Sequence, residues 1–483
     1  MQSTWQFFHE HTNEPTPPLN PNFLYSQDLK HFLLKKRLPV TELIFPTELL
    51  RAHYRNGHLL LHQSITIKQN KPYCPRCSNN DLELFGSFHC ARCNKLCTYC
   101  RKCIMMGRMS ECTPLVSWNG PIDKNEQTSK NFLHWNGHLS TFQQRAATKV
   151  IETIEKQSEL LVWAVCGAGK TEVLFPGIER ALQLGHKVCI ATPRTDVVLE
   201  LSPRIQQAFP TVEVATLYGG SEDRYKSSCD ITISTTHQLL RYYKAFDTII
   251  IDEVDAFPYS YDQSLQHAVQ TSRTDRSAII YLSATPSKSM QKRAETKKLN
   301  AIKIPQRYHG HPLPVPRFQW CGNWSKQLEK GKLPATILKW IHAQQAQVFL
   351  FVPRIEHIDK VLNILQDSHV AGVHAEDVER KEKVAKFREG EIRMLVTTTI
   401  LERGVTVPNV QVAVLGADDQ IFTESALVQI AGRVGRSATH PSGDICFFHY
   451  GKTKQMVEAR KQIVKMNEEA RRVADREPVS NLQ

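Results

Sequence analysis

The run Ala164-Val165-Cys166-Gly167-Ala168-Gly169-Lys170-Thr171 restricts this chain more than any other. It follows the apolar stretch 160–164 and leads into residues of helical character, so it reads as strand, glycine-rich turn and helix in immediate succession. In that order the backbone amides of Gly167, Ala168 and Gly169 can close on phosphate oxygens at a helix N-terminus. Lys170 is then placed for the β and γ phosphates of a nucleotide, and Thr171 for its Mg²⁺.

Around this turn, short apolar runs at 160–164, 187–191, 248–251 and 278–282 alternate with helical stretches. Such alternation predicts a parallel sheet with helices on both faces. The Pro-rich segment 304–316 (IPQRYHGHPLPVP) separates a second series with runs at 348–352, 394–396, 410–415 and 445–448. The expected fold class is therefore α/β, with two tandem parallel-sheet lobes behind a small Cys-rich module. The expected divisions are an N-terminal arm and small mixed segment over 1–70, a zinc module over 71–113, and a linker over 114–138. After these come a first lobe over 139–303, an inter-lobe linker over 304–335, a second lobe over 336–452 and a terminal helix over 453–483. Prolines 15, 17, 18 and 21 predict that residues to about 25 are irregular. The Asn-Gly pairs at 119–120 and 136–137 predict local hairpin turns.

The stretch 248–251 runs into Asp252-Glu253-Val254-Asp255, which puts carboxylates at the C-terminal end of a buried strand, where open α/β sheets bind ligands. Asp252 suits the Mg²⁺, and Glu253 suits orienting and deprotonating a water. In Gln429-Ile430-Ala431-Gly432-Arg433-Val434-Gly435-Arg436, the guanidinium groups of Arg433 and Arg436 could meet transition-state charge from the opposite lobe. An acidic loop or an arginine pair alone is more often solvated surface; their occurrence with the Lys170 loop reverses that.

The chain has 483 residues, 41% of them apolar, and a net charge of +13, which favours polyanionic partners. It has no apolar stretch of membrane-spanning length and no signal-peptide order, so a cytoplasmic location is expected. Eight of the 13 Cys fall between 74 and 112: Cys74, Cys77, Cys90, Cys93, Cys97, Cys100, Cys103 and Cys112. The pairs Cys74-x2-Cys77 and Cys90-x2-Cys93 have the spacing of two knuckles closing one zinc site. The other four could close a second, and interleaved pairing is equally open. With every position closed by Cys, the metal would be structural. In the last segment Met456, Ala459, Ile463, Met466, Ala470 and Val473 recur at helical spacing, which predicts an apolar face packed on the second lobe. A docking site or a self-association seam is the other reading.

Across residues 139–450 the order of elements resembles superfamily 2 helicases, in which Ala at the loop's first position, here Ala164, is usual. The resemblance implies RecA-like lobes and adenine contact by Gln143 in Leu139-Ser140-Thr141-Phe142-Gln143 with Ala146. It implies strand-gripping roles for Thr192, Pro193, Arg194, Gly219, Gly220, Thr235 and Thr236, and coupling of hydrolysis to movement by Ser283, Ala284 and Thr285. In the second lobe His374, Arg380, Phe387 and Gly390 precede Val396-Thr397-Thr398-Thr399 and Glu402-Arg403-Gly404-Val405. There the resemblance places a nucleic-acid phosphate contact at Thr398 and nucleotide contact at Gly404. The runs LVTTTILERGVTVPNV and QIAGRVGRS are closer to DNA translocases of the RecG and Mfd type than to DEAD-box proteins, and the third residue of the Asp252 tetrad is not Ala.

The stretch Cys97-Thr98-Tyr99-Cys100-Arg101-Lys102-Cys103, the compact core behind it and RYHGHPLPVP between the lobes resemble the ComFA family of competence ATPases. That resemblance implies ATP, Mg²⁺ and one or two Zn²⁺ as cofactors, and a motor driving or assisting import of single-stranded DNA. It also implies a ComFC-type partner, the ComEC membrane channel and a place at the inner face of the membrane. In PriA, by contrast, the zinc module interrupts the second lobe. Two other readings stay open: a repair or restart helicase of the RecG or PriA type, and a zinc-dependent adaptor whose nucleotide only switches its shape. Only 47 residues follow Arg436, which leaves little room for the extra elements of the former. Glu253 and Arg436 together argue against the latter.

Overall fold

In the computed structural model, which describes residues 4–122, 127–226 and 229–474, the strand Glu159–Ala164 runs directly into the glycine-rich turn and the helix Lys170–Gln183. That strand lies in a seven-stranded sheet ordered Val214–Leu217, Ile231–Thr235, Val188–Thr192, Phe246–Ile251, Arg273–Ser283, Glu159–Ala164, Asn300–Ile304. Every pairing in it is parallel. Both faces are buried, which is why the central strands read as unbroken Ile, Val and Leu runs.

The second lobe repeats the plan with six parallel strands, Arg317–Trp320, Ile445–His449, Val410–Leu415, Gln347–Phe351, Met394–Thr397 and Val370–Val373. Loops at the C-terminal ends of both sheets meet in one cleft. The two-lobed α/β fold expected from the sequence is the fold observed.

Ahead of the lobes, Leu115–Trp118 is the central strand of a three-stranded antiparallel sheet, between Arg37–Pro39 and Leu59–His62. This strand falls in the stretch read as linker, so the Cys-rich segment is enclosed by the N-terminal fold it interrupts. The expectation of an irregular arm to residue 25 is corrected here. Thr4–His11 is a helix whose Phe7 and Phe8 are buried against Leu50 and Tyr54, and the prolines only follow its end. Tertiary packing stabilises a helix too short to hold alone. The hairpin turns are corrected too. Asn119 donates its backbone N–H to the His58 carbonyl, and no strand flanks Asn136-Gly137, because Trp135 packs on the core of the first lobe.

The terminal helix Lys454–Ala474 lays Met456, Ala459, Ile463, Met466 and Ala470 into the core, as expected, while the Val473 side chain lies outside the described residues. It packs on Glu424–Ala431 of the second lobe but also reaches the first. Gln462 Nε2 donates to the Ala284 carbonyl at 2.8 Å, and Lys303 pairs with Glu469 at 2.7 Å. Asn467 makes both hydrogen bonds to the Leu313 backbone. With its apolar face covered, the docking and self-association readings of that face are closed. Among the described residues no helix is long and apolar enough to cross a membrane.

Candidate active site and metal centres

Gly167 and Gly169 take φ of +79° and +68°, a region L side chains rarely enter, and this curls the loop so that its amides face one pocket. The pocket is a cavity of about 620 Å³ lined by Gln143, Gly167, Ala168, Gly169, Lys170, Thr171, Asp252, Glu253, Gly404 and Arg436. Residues far apart in sequence and drawn from both lobes are thus brought to one place. Gln143 is half committed there. Its Oε1 accepts the Ser140 N–H of the helix cap, and its Nε2 donates to the Ala168 carbonyl at 2.9 Å.

At the end of Phe246–Ile251, burial pushes the Asp252 carboxyl up to about 6 despite the opposing charge of Lys170. Glu253 is held at φ +56°, an uncommon backbone state for a non-glycine residue and one that collects at functional sites. Arg403, 4% exposed, joins the lobes here, with Nη1 3.2 Å from Glu253 Oε2 and Nη2 donating to Asp255 Oδ2. Burial alone would raise the Asp255 carboxyl. Arg403 and the hydroxyls of Ser283 (2.5 Å) and Thr285 (2.7 Å) outweigh it and hold the group below the usual carboxylate range. The Thr285 hydroxyl also lies 2.8 Å from Ser425 of the second lobe, and Gln429 reaches both Thr285 and Cys166.

The two arginines differ. Arg436 lines the pocket, bonded to the Gly432 carbonyl and the Thr406 hydroxyl. Arg433 is buried behind it, with Nη1 on the Val405 carbonyl and with Nε and Nη2 lacking a partner. Burial and the neighbouring charge of Arg436 drive its pKa well below the ordinary value. The glycine-lined cradle, with Lys170, Thr171, Asp252 and Arg436 lining the same pocket, has the donor set that fits an anionic polyphosphate with its Mg²⁺.

Residues assigned to strand gripping sit at or just beyond the C-terminal ends of their strands, and the three first-lobe strands concerned are neighbours in the sheet. Gly219 and Gly220 are exposed, with open space where a side chain would be. Arg194 is half-buried, tied to Asp196 and the Ile400 carbonyl across the lobe boundary. Thr398 is partly exposed, whereas Thr192, Pro193, Thr235 and Thr236 are buried. Across the cleft Gly404 approaches Asp196 so closely that a Cβ there would lie 2.5 Å from its carboxylate. In the second lobe Phe387 is core, and Gly390 ends a helix at φ +89°.

The cysteines form two sets of four, with the sulfurs of each set within 4.8 Å of one another: Cys74, Cys77, Cys100, Cys103 and Cys90, Cys93, Cys97, Cys112. Thiolates about 2.3 Å from a tetrahedral Zn²⁺ stand about 3.8 Å apart, so both sets fit the metal. The simple pairing of Cys74-Cys77 with Cys90-Cys93 is overturned in favour of the interleaved one. Cys90 lies at the turn of the hairpin Phe85–Cys90 and Lys95–Cys100, and Cys100 lies at its open end, so one ion cannot reach both knuckles. The first set is fully buried against Leu239 and Leu240 of the first lobe, where Arg76 donates to the Leu240 carbonyl. The second keeps Cys93 partly exposed.

Arg307 was not foreseen. It is 2% exposed and ties the loop carbonyl of Cys166 to the carbonyls of Gly432 and Gly435 in the other lobe. Its only sequence signal is a basic residue inside the Pro-rich linker. Arg403, which in the sequence is one basic residue of the run 402–405, likewise gains its partners only from the tertiary structure.

Family models match at residues 19–117 (competence protein ComFA N-terminal domain), 136–288 (type III restriction enzyme, res subunit) and 332–438 (helicase conserved C-terminal domain). The competence protein ComFA of Bacillus subtilis is 52% identical over 461 residues, covering 94% of this chain and 98% of that one. The chain belongs to the ComFA family. ComFA of Streptococcus pneumoniae is 36% identical, over 83% of this chain and 92% of its own. Among solved structures, S. cerevisiae Dbp5 bound to RNA and ADP BeF3 superposes with a TM-score of 0.50 at 17% identity, covering 68% of this chain and 87% of that one; this likeness concerns fold alone. ComFA membership and the matched models make this a competence-related protein with a superfamily 2 helicase-like core.

Proposed function

We propose that this chain is an ATP-hydrolysing translocase that drives or assists entry of single-stranded DNA during natural transformation. The observation that carries this reading is the single cavity in which Lys170, Thr171, Asp252 and Glu253 of one lobe face Gly404 and Arg436 of the other. In this reading the loop amides and Lys170 bind the β and γ phosphates. Thr171 and Asp252 hold the Mg²⁺, which when bound neutralises phosphate charge as a Lewis acid. Glu253 takes the proton of the attacking water, and Arg436 stabilises the γ-phosphoryl oxygens when the lobes close.

Movement follows from the shared partners. Asp255 is held at once by Arg403, Thr285 and Ser425, so a change of lobe spacing alters contacts in the same acidic run as Asp252 and Glu253. Exposed Gly219 and Gly220 and partly exposed Thr398 offer backbone amide and hydroxyl groups to phosphates without reading bases. The zinc sites, each closed by four Cys, stiffen the N-terminal fold and its seat on the first lobe. In this reading the order of units is the expected one, with Leu115–Trp118 counted with the N-terminal fold and Arg317–Trp320 with the second lobe rather than with the linkers. A cytoplasmic location, at the inner membrane face beside ComFC-type and ComEC-type partners, belongs to the same reading. Nucleotide binding and turnover in Glu253→Gln test it: ATP is bound with near-native affinity while turnover is lost. Normal turnover in that variant would remove Glu253 from the chemistry.

A further inference from the structure

The linker between the lobes carries an aromatic side chain that neither the phosphate cradle nor the lobe contacts use. Tyr308 is 52% exposed, yet it lines the nucleotide pocket. Its backbone is fixed on both sides. Arg307 is buried and bonded to the Cys166, Gly432 and Gly435 carbonyls, and His309 Nε2 lies 3.1 Å from the Gly435 carbonyl. The Tyr308 N–H itself points at the Gly167 carbonyl, 3.4 Å away. Among the described residues its one aromatic neighbour is His309, which meets it edge-on at 5.1 Å and 70° and so leaves a ring face free.

The position of this ring relative to the phosphate loop is informative. The Tyr308 N–H meets the Gly167 carbonyl and the Gln143 amide meets the Ala168 carbonyl, so the Tyr308 backbone and the Gln143 side chain flank consecutive residues of the loop, and both residues line the pocket. Phosphates occupy its other end, at the amides leading into Lys170 and Thr171. The nucleoside therefore extends toward Gln143 and Tyr308. Trp135 also lines the pocket, but it is partly buried and packed on the core of the first lobe, where it meets Phe175 at 5.5 Å, and so belongs to the wall. A flat, largely exposed ring on an anchored backbone has one chemical use at such a place, to cover the face of a purine base.

We propose that Tyr308 stacks on the nucleobase of the bound nucleotide and sets a preference for purine over pyrimidine triphosphates, while Gln143 reads the edge of the base. Resting on the nucleotide-site reading above, this makes the inter-lobe linker part of the binding site. Base occupancy and linker position are then one event, because Arg307, next in sequence, ties that linker to both lobes.

Calorimetric titration of the full-length wild type, Tyr308→Ala and Tyr308→Phe with Mg²⁺ and ATP, CTP or inorganic tripolyphosphate tests the proposal. Base stacking of the usual strength predicts that Tyr308→Ala weakens ATP binding roughly tenfold. Tripolyphosphate affinity should hold, the ATP-to-CTP ratio should narrow, and Tyr308→Phe should stay near wild type. Unchanged ATP affinity in Tyr308→Ala, an equal loss for ATP and tripolyphosphate, or a Phe variant as weak as Ala would each overturn stacking. A wild-type protein that binds none of the three overturns the nucleotide-site reading itself, and the stacking role with it.

Discussion

Arg403 pairs with two carboxylates of one acidic run from across the cleft, and it is nearly sealed from water while doing so. Removing one partner of such a buried cluster leaves charge uncompensated, and the usual cost is about 3–5 kcal/mol. Arg403→Ala should therefore lower chemical-denaturation stability by that order, where an exposed pair would cost under about 1 kcal/mol. A loss that small would show that the cluster is hydrated and the cleft open in solution. At Glu253 the expected effect is kinetic: Glu253→Gln should cut turnover roughly 10²- to 10⁴-fold with ATP affinity kept, as measured by steady-state hydrolysis beside equilibrium binding. That Lys170, Thr171, Asp252, Glu253 and Arg436 meet in one pocket was legible in the sequence, because a nucleotide-loop pattern fixes residue types at fixed offsets. Arg307 and Arg403 were not, since their partners lie more than a hundred residues away and any basic residue on a loop looks alike until the lobes are packed.

Elements show the same division. The apolar stripe of Lys454–Ala474 was readable from its spacing, but not that one helix bonds both lobes through Gln462 and Glu469. Those two residues sit among the polar positions of the helix, where periodicity says nothing. Truncation after Thr453 removes Met456, Ile463 and Met466 and should expose the apolar surface they cover on Glu424–Ala431, so melting temperature and soluble yield should both drop. Retention of wild-type melting would mean that the helix does not cover the core. In the zinc hairpin, the Cys positions were evident while their pairing was not, because pairing depends on strand register. Burial separates the two sets. A chelator should strip the set containing half-exposed Cys93 first, and Cys77→Ser should destabilise the first lobe more than Cys93→Ser. Metal content followed against melting during chelation checks this, and simultaneous loss of both ions would contradict it.

For the whole molecule, alternating apolar runs and a central Pro-rich break were enough to expect two parallel-sheet lobes. The N-terminal fold was less legible: its core is built from short elements, and its central strand Leu115–Trp118 returns only after the entire Cys-rich insertion. The two lobes enclose the nucleotide pocket, with exposed Gly219 and Gly220 and partly exposed Thr398 at the strand ends, and the chain carries a net charge of +13. If these act together, hydrolysis should depend on a polymer contacted through its backbone. Stimulation should then weaken steeply with salt, because each phosphate contact releases counterions. The most direct measurement is steady-state ATP hydrolysis by the full-length protein with single-stranded DNA, duplex DNA and RNA side by side at two salt concentrations. A DNA translocase of this kind gives the greatest stimulation with single-stranded DNA of any sequence, reduced at higher salt and absent in Glu253→Gln; hydrolysis indifferent to all three polymers, or stimulated only by RNA, would contradict it.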